Sequence, residues 1–169
     1  MIIVTSLRDS HAQLAAHRAT RAISILSPDT PHPDFPVLQQ GQHLRLTFHD
    51  VIADGGGLQG PQMRDAERLV QFISGWDQQA PLLIHCWAGI SRSTAAAFAA
   101  MCLLREKEDE ADLANELRDA SPSATPNRLI VSQVDDILGR KGRMVKAIAA
   151  IGRGADAFEG TPFIVRTRS

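Results

Sequence analysis

The alternation of apolar and polar residues along the chain predicts strands first and mainly helices later. Short β-branched runs at Ile2–Thr5 and Ala22–Leu26 indicate two strands, and Ser10 is placed to cap a small helix between them. A third strand is predicted at Leu44–Phe48, where apolar residues alternate with polar ones. The compact apolar run Pro81–Ile84 indicates a fourth strand.

Helices are predicted where apolar residues recur every three or four positions or, in one case, form an unbroken run. They are Pro61–Trp76, Thr94–Leu104, Glu110–Ala120, Pro126–Leu138 and Arg143–Ile151. Strands and helices that alternate before a run of helices predict an α/β fold, with a mostly parallel central sheet of about four to five strands flanked by helices. We expect one domain at residues 1–152, followed at 153–169 by a tail or an edge strand.

The charge balance argues against a nucleic-acid partner. The 169 residues include 18 Lys and Arg against 19 Asp and Glu, and 44% of them are apolar, as in an ordinary globular domain. After position 139, seven basic residues face two acidic ones. This basic stretch either attracts an anionic partner or is simply a solvated helix surface.

Neither a membrane span nor a secretory signal is predicted. The longest apolar run, Thr94–Leu104, is shorter than the roughly 20 residues that a span needs, and the first ten residues lack the pattern of a signal peptide. Two cysteines do not make a disulfide framework. We therefore expect a protein of the reducing cytoplasm.

The segment His85-Cys86-Trp87-Ala88-Gly89-Ile90-Ser91-Arg92-Ser93 carries the candidate chemistry, because a buried strand precedes it and a core helix follows it. A loop at a helix N-terminus directs backbone N–H groups and the helix dipole at one point, which makes an anion site. Gly89 lets the backbone approach closely, and the planar Arg92 guanidinium can bind two phosphate oxygens at once. This field favours the thiolate form of Cys86, the expected nucleophile. Ser93 can donate to the sulfur, and His85 can fix the loop.

These residues resemble the signature H-C-x5-R-S/T of the protein-tyrosine phosphatase superfamily, in particular its small dual-specificity-like members and the bacterial tyrosine-phosphatase-like proteins. His85, Cys86, Gly89, Arg92 and Ser93 match it position by position. The resemblance covers roughly residues 20 to 140 and includes Pro126-Asn127, which is similar to the Pro-Asn that opens a late helix in dual-specificity members. It implies a dual-specificity-phosphatase-like fold and hydrolysis of a phosphomonoester through a phosphocysteine intermediate, with no metal or other cofactor.

The same resemblance implies a general acid near His49-Asp50, and two aspartates compete for that role. Asp50 and Asp54 precede Cys86 by 36 and 32 residues, and the family's usual interval of about thirty favours Asp54. Strand register favours Asp50, because parallel strands end at the same edge of a sheet and Asp50 lies two residues after Phe48. Asp54 stands against three glycines, where a turn residue is expected. We favour Asp50 and keep Asp54 as the alternative.

Two other functions stay open from the sequence: a rhodanese-like sulfurtransferase and a phosphate-binding module without turnover. The substrate itself, a phosphoprotein or a small phosphomonoester, is left undecided. Trp87 either lines the mouth of the site or packs on the core. Asn127 is expected to support the start of a helix, and Cys102 to be a buried structural thiol too far from Cys86 for a disulfide. His43 and His49 share a strand face but lack a third ligand, so no metal site is predicted.

Overall fold

A computed structural model describes residues 1–53 and 55–168 of the chain. Its strands are β1 (Ile2–Ser6), β2 (Arg21–Leu26), β3 (His43–Thr47), β4 (Leu82–Cys86) and β5 (Phe163–Val165). Its helices are α1 (Ser10–His17), α2 (Met63–Ser74), α3 (Arg92–Leu104), α4 (Glu110–Ala120), α5 (Arg128–Ile137) and α6 (Arg143–Ile151). Among the described residues, no helix has both the length and the apolar character needed to cross a membrane.

The strands form a single sheet in the order β3-β2-β4-β1-β5. Every pairing among β1 to β4 is parallel, and only β5 runs antiparallel, against β1 at the edge. The predicted α/β fold with a mostly parallel sheet is confirmed. Because β3 and β4 both pair in parallel with β2, their carboxyl ends meet at one edge of the sheet, as the register argument requires.

The two faces of the sheet bury cores of different size. Helices α2 to α6 cover one face and enclose the larger core, which includes Ile84 and Cys86 of β4. Helix α1 and the proline-rich segment 28–41 cover the other face around Phe35 and Leu83. Successive strand residues point to opposite faces, so His85 and Cys86 lie on opposite sides of the sheet. The sheet therefore separates the candidate nucleophile from its histidine neighbour.

Helix α3 lies at the centre of the larger core, and its first residue, Arg92, belongs to the candidate site. It is buried from Arg92 through Cys102, and five of its residues are alanines, which let the sheet and neighbouring helices approach closely. Its N-terminus follows directly from the loop after β4. The positive end of a buried helix dipole is thus held at the carboxyl edge of the sheet.

Four predicted helix starts were displaced by one or two residues. Ser10 is the first residue of α1 rather than its cap, because its hydroxyl donates to the Leu7 carbonyl (2.7 Å). Helix α2 begins at Met63, not at Pro61, because the Asp65 carboxylate accepts from the Gln62 N–H (2.9 Å) in a capping box. Helix α3 begins at Arg92 instead of Thr94, and α5 begins after the cap Asn127 instead of at Pro126. For α2 and α5, the cap contacts mark where the helix begins.

The basic stretch after position 139 is partly neutralised within the fold. Arg140 and Arg143 both bind the buried carboxylate of Glu110 (3.3 and 3.0 Å), and Arg153 pairs with Asp156. Glu110 lies at the start of α4, so these contacts attach α6 and the turn before it to that helix. Three of the seven basic residues therefore have acidic partners within the fold.

Candidate active site

Residues 86–92 form a loop, here called the Cys86 loop, between β4 and α3. The loop passes directly over the end of β1. Gly89 adopts a positive φ of 74°, and a Cβ at this position would lie 2.9 Å from the Thr5 carbonyl carbon and from the Ser6 nitrogen. Only glycine fits both the backbone conformation and the space. The path of the loop over β1 therefore requires glycine at this position.

Four carbonyl groups of the Cys86 loop accept hydrogen bonds from surrounding segments. The donors are the N–H groups of Leu7 to Trp87 (3.1 Å), Gly160 to Ala88 (2.8 Å), Thr125 to Ile90 (2.9 Å) and Ala95 to Ser91 (2.9 Å). In a trans peptide the N–H points opposite to the C=O, so the next N–H in each case is directed toward the interior of the loop. The loop therefore presents several backbone donors to one central point, the geometry of an anion site.

The Cys86 sulfur lies at that central point. It accepts from the Gly89 N–H at 3.2 Å and lies 3.2 Å from the Ser93 hydroxyl in the first turn of α3. The side chain is 2% exposed, so the sulfur lies at the bottom of the loop. A backbone N–H group, a hydroxyl and the N-terminus of α3 therefore surround the sulfur.

The Arg92 side chain extends from the start of α3 under the edge of the sheet. Its Nη1 donates to the Phe48 carbonyl (2.9 Å) and to the Ser27 hydroxyl (3.1 Å), at the ends of β3 and β2. Its Nε is buried and, among the described residues, has no hydrogen-bond partner; it lies 3.9 Å from an Asp50 oxygen. A buried N–H without an acceptor is costly, and a bound oxyanion would satisfy it.

Asp50 is brought to the Cys86 loop by the end of β3. Its Oδ1 accepts from the Ser91 hydroxyl (2.7 Å) and from the Asn127 amide (2.9 Å). The carboxylate remains 37% exposed, so solvent and substrate can reach it. Asp54, the alternative, lies outside the described residues. The turn beyond it is tight, with Gly55 and Leu58 bridged and Gly56 and Gly57 at positive φ.

Asn127 links two parts of the site. Its Oδ1 caps α5 by accepting from the Leu129 and Ile130 N–H groups (3.0 and 3.2 Å), as expected of a helix-start residue. Its Nδ2 donates to Asp50, which the sequence reasoning missed because the two residues are 77 positions apart. The Pro-Asn pair before α5 is the only local signal that could have indicated this contact. Asn127 thereby orients the carboxylate relative to the Cys86 loop.

His85 supports the loop from the opposite face of the sheet. Its Nδ1 lies 3.3 Å from the Cys86 carbonyl, and its Nε2 lies 2.6 Å from the Ser24 hydroxyl, which is also 2.7 Å from Nε2 of His43. These contacts are all satisfied when both rings are neutral, with Nδ1–H on His85 and Nε2–H on His43. Burial lowers the pKa of His85 to about 4 and that of His43 to about 4.

We expect the buried His85 to make stability depend on acid pH. Its folded pKa of about 4 lies below the ordinary value of 6.5, so below pH 6.5 the unfolded chain binds the proton more readily and the folded state loses stability until about pH 4. The loss attributable to His85 is about 2 kcal/mol by pH 5. Urea unfolding at pH 7 and pH 5 measures it, and His85→Asn should reduce the difference. An equal difference in both proteins would contradict this assignment.

The other predicted residues are also located. Trp87 is 47% exposed, so it belongs to the surface beside the loop and not to the core. Cys102 is buried and unpaired, and burial raises its pKa to about 12, which keeps it a neutral thiol. His43 contacts Ser24, whereas His49 contacts Gln59. Within residues 1–53 and 55–168, no three His, Cys, Asp or Glu side chains lie close enough to hold a metal ion.

The segment after α6 also reaches the site, which the sequence did not predict. The Gly160 N–H donates to the Ala88 carbonyl, and the Phe158 ring meets the Trp87 ring edge to face at 5.4 Å. Glu159 binds the Ser6 hydroxyl and, at 3.3 Å, the Arg8 guanidinium. Neither periodicity nor a motif marks these residues, because each contact depends on the folded path of the chain.

No family model and no curated protein matches this chain. Solved structures do match. Human DUSP28 shares 21% identity at a TM-score of 0.62, over 83% of this chain and 94% of that one. The human tyrosine phosphatase-like serine/threonine/tyrosine-interacting protein shares 21% identity at a TM-score of 0.63, over 83% and 92%. PTPMT1, solved in complex with PI(5)P, shares 13% identity at a TM-score of 0.56, over 89% and 94%.

These similarities establish the fold. The chain is built like dual-specificity phosphatases and their relatives, and the dual-specificity-phosphatase-like fold implied by the sequence resemblance is confirmed.

Proposed function

We propose that this protein is a cysteine-dependent phosphomonoester hydrolase of the protein tyrosine or dual-specificity phosphatase type. The proposal rests on one observation above all: the Cys86 sulfur is buried in a loop at the N-terminus of α3, where it accepts from the Gly89 N–H and lies 3.2 Å from the Ser93 hydroxyl. A bound phosphoryl group would place its three non-bridging oxygens against these donors. The Nε of Arg92, which has no hydrogen-bond partner among the described residues, supplies a further donor.

In the first step, the Cys86 thiolate attacks phosphorus in line with the ester oxygen. A sulfur–phosphorus bond forms and the phosphorus–oxygen bond breaks, so negative charge develops on the leaving oxygen. Asp50, in its protonated form, donates its proton to that oxygen. Ser91 and Asn127 hold the Asp50 carboxyl group beside the loop. The products of this step are a phosphocysteine and a free hydroxyl compound.

In the second step, a water molecule attacks the phosphocysteine. Asp50, now ionised, removes a proton from the water, a phosphorus–oxygen bond forms, and the phosphorus–sulfur bond breaks. The departing sulfur regains its negative charge, and the Ser93 hydroxyl at 3.2 Å stabilises it by donating a hydrogen bond. Inorganic phosphate then leaves, and the thiolate is restored without any redox change.

The phosphorylated partner is a phosphoprotein or a small phosphomonoester. Because the nucleophile must stay a free thiol, a reducing compartment such as the cytoplasm suits this chemistry. The near-neutral charge of the chain, 18 Lys and Arg against 19 Asp and Glu, does not favour a nucleic-acid partner.

Trapping the phosphocysteine tests this function directly. The wild type is mixed with 4-nitrophenyl phosphate and a chelator, quenched in acid during turnover, digested, and analysed by mass spectrometry. We expect phosphate on the peptide that contains Cys86 and none on the peptide that contains Cys102. Turnover without phosphate on Cys86 would overturn the mechanism. A persulfide on Cys86 after incubation with thiosulfate would instead indicate a sulfurtransferase, and phosphate binding without turnover would indicate a non-catalytic module.

A further inference from the structure

A cavity of about 540 Å³ lies on the face of the sheet opposite Cys86. It is formed between α1 and the proline-rich segment 28–41, and we call it the α1 cavity. Leu14 of α1 and Phe35 of the proline-rich segment line it, and both belong to the smaller core. A cavity of this volume is within the range of small-molecule binding sites. The catalytic chemistry proposed above makes no use of it.

The walls of the α1 cavity are fixed by contacts within the protein. The Phe35 ring is buried and packs against the rings of His11 and His43, with centroids 4.9 Å apart in both cases. The Asp34 carbonyl can only accept, so the His11 Nε2–H donates to it, at 2.9 Å, and fastens the proline-rich segment to α1. Pro36 restricts the backbone of the same wall. A site that is formed before the ligand arrives reduces the entropy lost on binding.

The lining of the α1 cavity combines apolar walls with one permanent charge. Leu14, Phe35 and Val37 are apolar, and Val37 is 74% exposed, so an apolar surface faces solvent here. Arg18 supplies the permanent charge, and no Asp or Glu is among the lining residues that the structure describes. An apolar surface beside an uncompensated cation fits a ligand that is apolar at one end and anionic at the other.

The Arg18 side chain has no partner within the fold. Arg18 ends α1 at a positive φ of 51°, and backbone groups close this end of the helix. The Arg18 and Ala19 N–H groups donate to the Ala15 and Leu14 carbonyls at 3.2 and 3.0 Å, so the helix end does not need the side chain. Among residues 1–53 and 55–168, no carboxylate or other acceptor binds the Arg18 guanidinium. Its N–H donors are therefore available to an anion.

We propose that the α1 cavity is a second binding site, which takes a small monocarboxylate with an aliphatic or aromatic body. The body lies against Leu14, Phe35 and Val37, and the carboxylate receives two parallel hydrogen bonds from the planar Arg18 guanidinium. One cation balances one negative charge, so a monoanion fits better than a phosphomonoester dianion, whose second charge would be uncompensated beside an apolar wall. The site does not depend on the proposed phosphatase function, because it lies on the other face of the sheet from Cys86.

Titration of the nitrogen-15-labelled protein with octanoate and with 1-octanol, followed by NMR, tests this inference. The two probes share an apolar chain and differ in charge. For the wild type, we expect octanoate to shift the amide signals of α1 and of residues 35–42. It should bind about 3- to 10-fold more tightly than 1-octanol, as expected of a charge-assisted hydrogen bond at an exposed site. In Arg18→Asn, which tolerates the positive φ, the two affinities should become equal.

A matched pair of alanine replacements locates the bound probe. Ala15 lines the α1 cavity, whereas its neighbour Ala16 does not. Both residues are exposed, so neither replacement disturbs the core. Ala15→Phe fills the cavity and should abolish binding of both probes. Ala16→Phe should leave both affinities unchanged.

Three results would overturn the inference. Amide signals that shift only around the Cys86 loop, or nowhere, would mean that the α1 cavity is not a ligand site. Equal wild-type affinities for octanoate and 1-octanol would mean that Arg18 does not select an anion. Equal binding by Ala15→Phe and Ala16→Phe would place the probe elsewhere on the protein.

Inorganic phosphate, titrated in the same way, separates this inference from the proposed function. We expect phosphate to shift the amide signals of the Cys86 loop and to leave those of α1 unchanged. Absence of the shift at the Cys86 loop would count against the phosphatase, while binding of octanoate at the α1 cavity would still support the second site.

Discussion

Replacing Cys86 by serine is expected to lower kcat on aryl phosphates by about 10⁴-fold or more, because it removes the nucleophile from which both chemical steps proceed. A serine hydroxyl in the same place is much less ionised than a thiol, so the same loop cannot use it for attack. Binding should survive, since the loop N–H groups and Arg92 are untouched. The measurement is hydrolysis of 4-nitrophenyl phosphate with a chelator present, together with the affinity for inorganic phosphate.

Cys102→Ala is the matched control for this substitution. Cys102 lies near the end of α3, and its pKa, raised to about 12 by burial, keeps it protonated and unreactive at neutral pH. We expect this variant to retain wild-type kcat, even if packing in α3 is slightly weakened. Activity that persists in Cys86→Ser and disappears in Cys102→Ala would show that the nucleophile is Cys102 and not Cys86.

Replacing Asp50 by asparagine is expected to lower kcat by about 10²- to 10⁴-fold on substrates whose leaving group must be protonated. Asparagine keeps the size of the side chain and its place between Ser91 and Asn127, but it carries no proton to donate. The loss should depend on the leaving group. An alkyl phosphate should suffer the full effect, and 4-nitrophenyl phosphate, whose leaving oxygen is stable as an anion, should suffer much less.

Asp54→Asn serves as the comparison for Asp50, because Asp54 is the alternative general acid. We expect this variant to behave like the wild type on both leaving groups. Should Asp54→Asn instead show the leaving-group-dependent loss while Asp50→Asn remains active, the spacing to Cys86 would be the better guide and Asp54 would be the acid. A uniform loss in Asp50→Asn on both substrates would mean that Asp50 only orders the loop.

The hydrogen bonds of Asp50 give its position a physical basis that the interval to Cys86 lacks. An interval along the chain counts residues, whereas register fixes where a strand ends in space. β3 and β4 flank β2 in parallel, so the residues after Thr47 emerge at the same edge as Cys86. Arg92 strengthens this arrangement by binding the Phe48 carbonyl. The same residue thus connects the end of β3 to the start of α3.

The strands, the helices and the candidate chemistry of the Cys86 loop were all predictable from the sequence. These features are local: alternation or periodicity reveals a buried face, and the residues from His85 to Ser93 fill one strand-to-helix connection. Parallel pairing followed from the alternation of strands and helices. Helix starts were less predictable, because the capping box of Gln62 and Asp65 acts through hydrogen bonds that periodicity does not contain.

The contacts by which distant parts of the chain complete the site depend on the tertiary structure. Asn127 meets Asp50 across 77 positions, Ser27 and Phe48 hold the Arg92 guanidinium from two strand ends, and Gly160 reaches Ala88 from beyond the last helix. Each contact is a directional hydrogen bond between residues far apart along the chain, and the periodicity of the sequence contains no information about such pairs. Burying the strands and helices brings these residues near one another. Which donor meets which acceptor depends on the exact path of the loops. That path is fixed only when the whole core has packed.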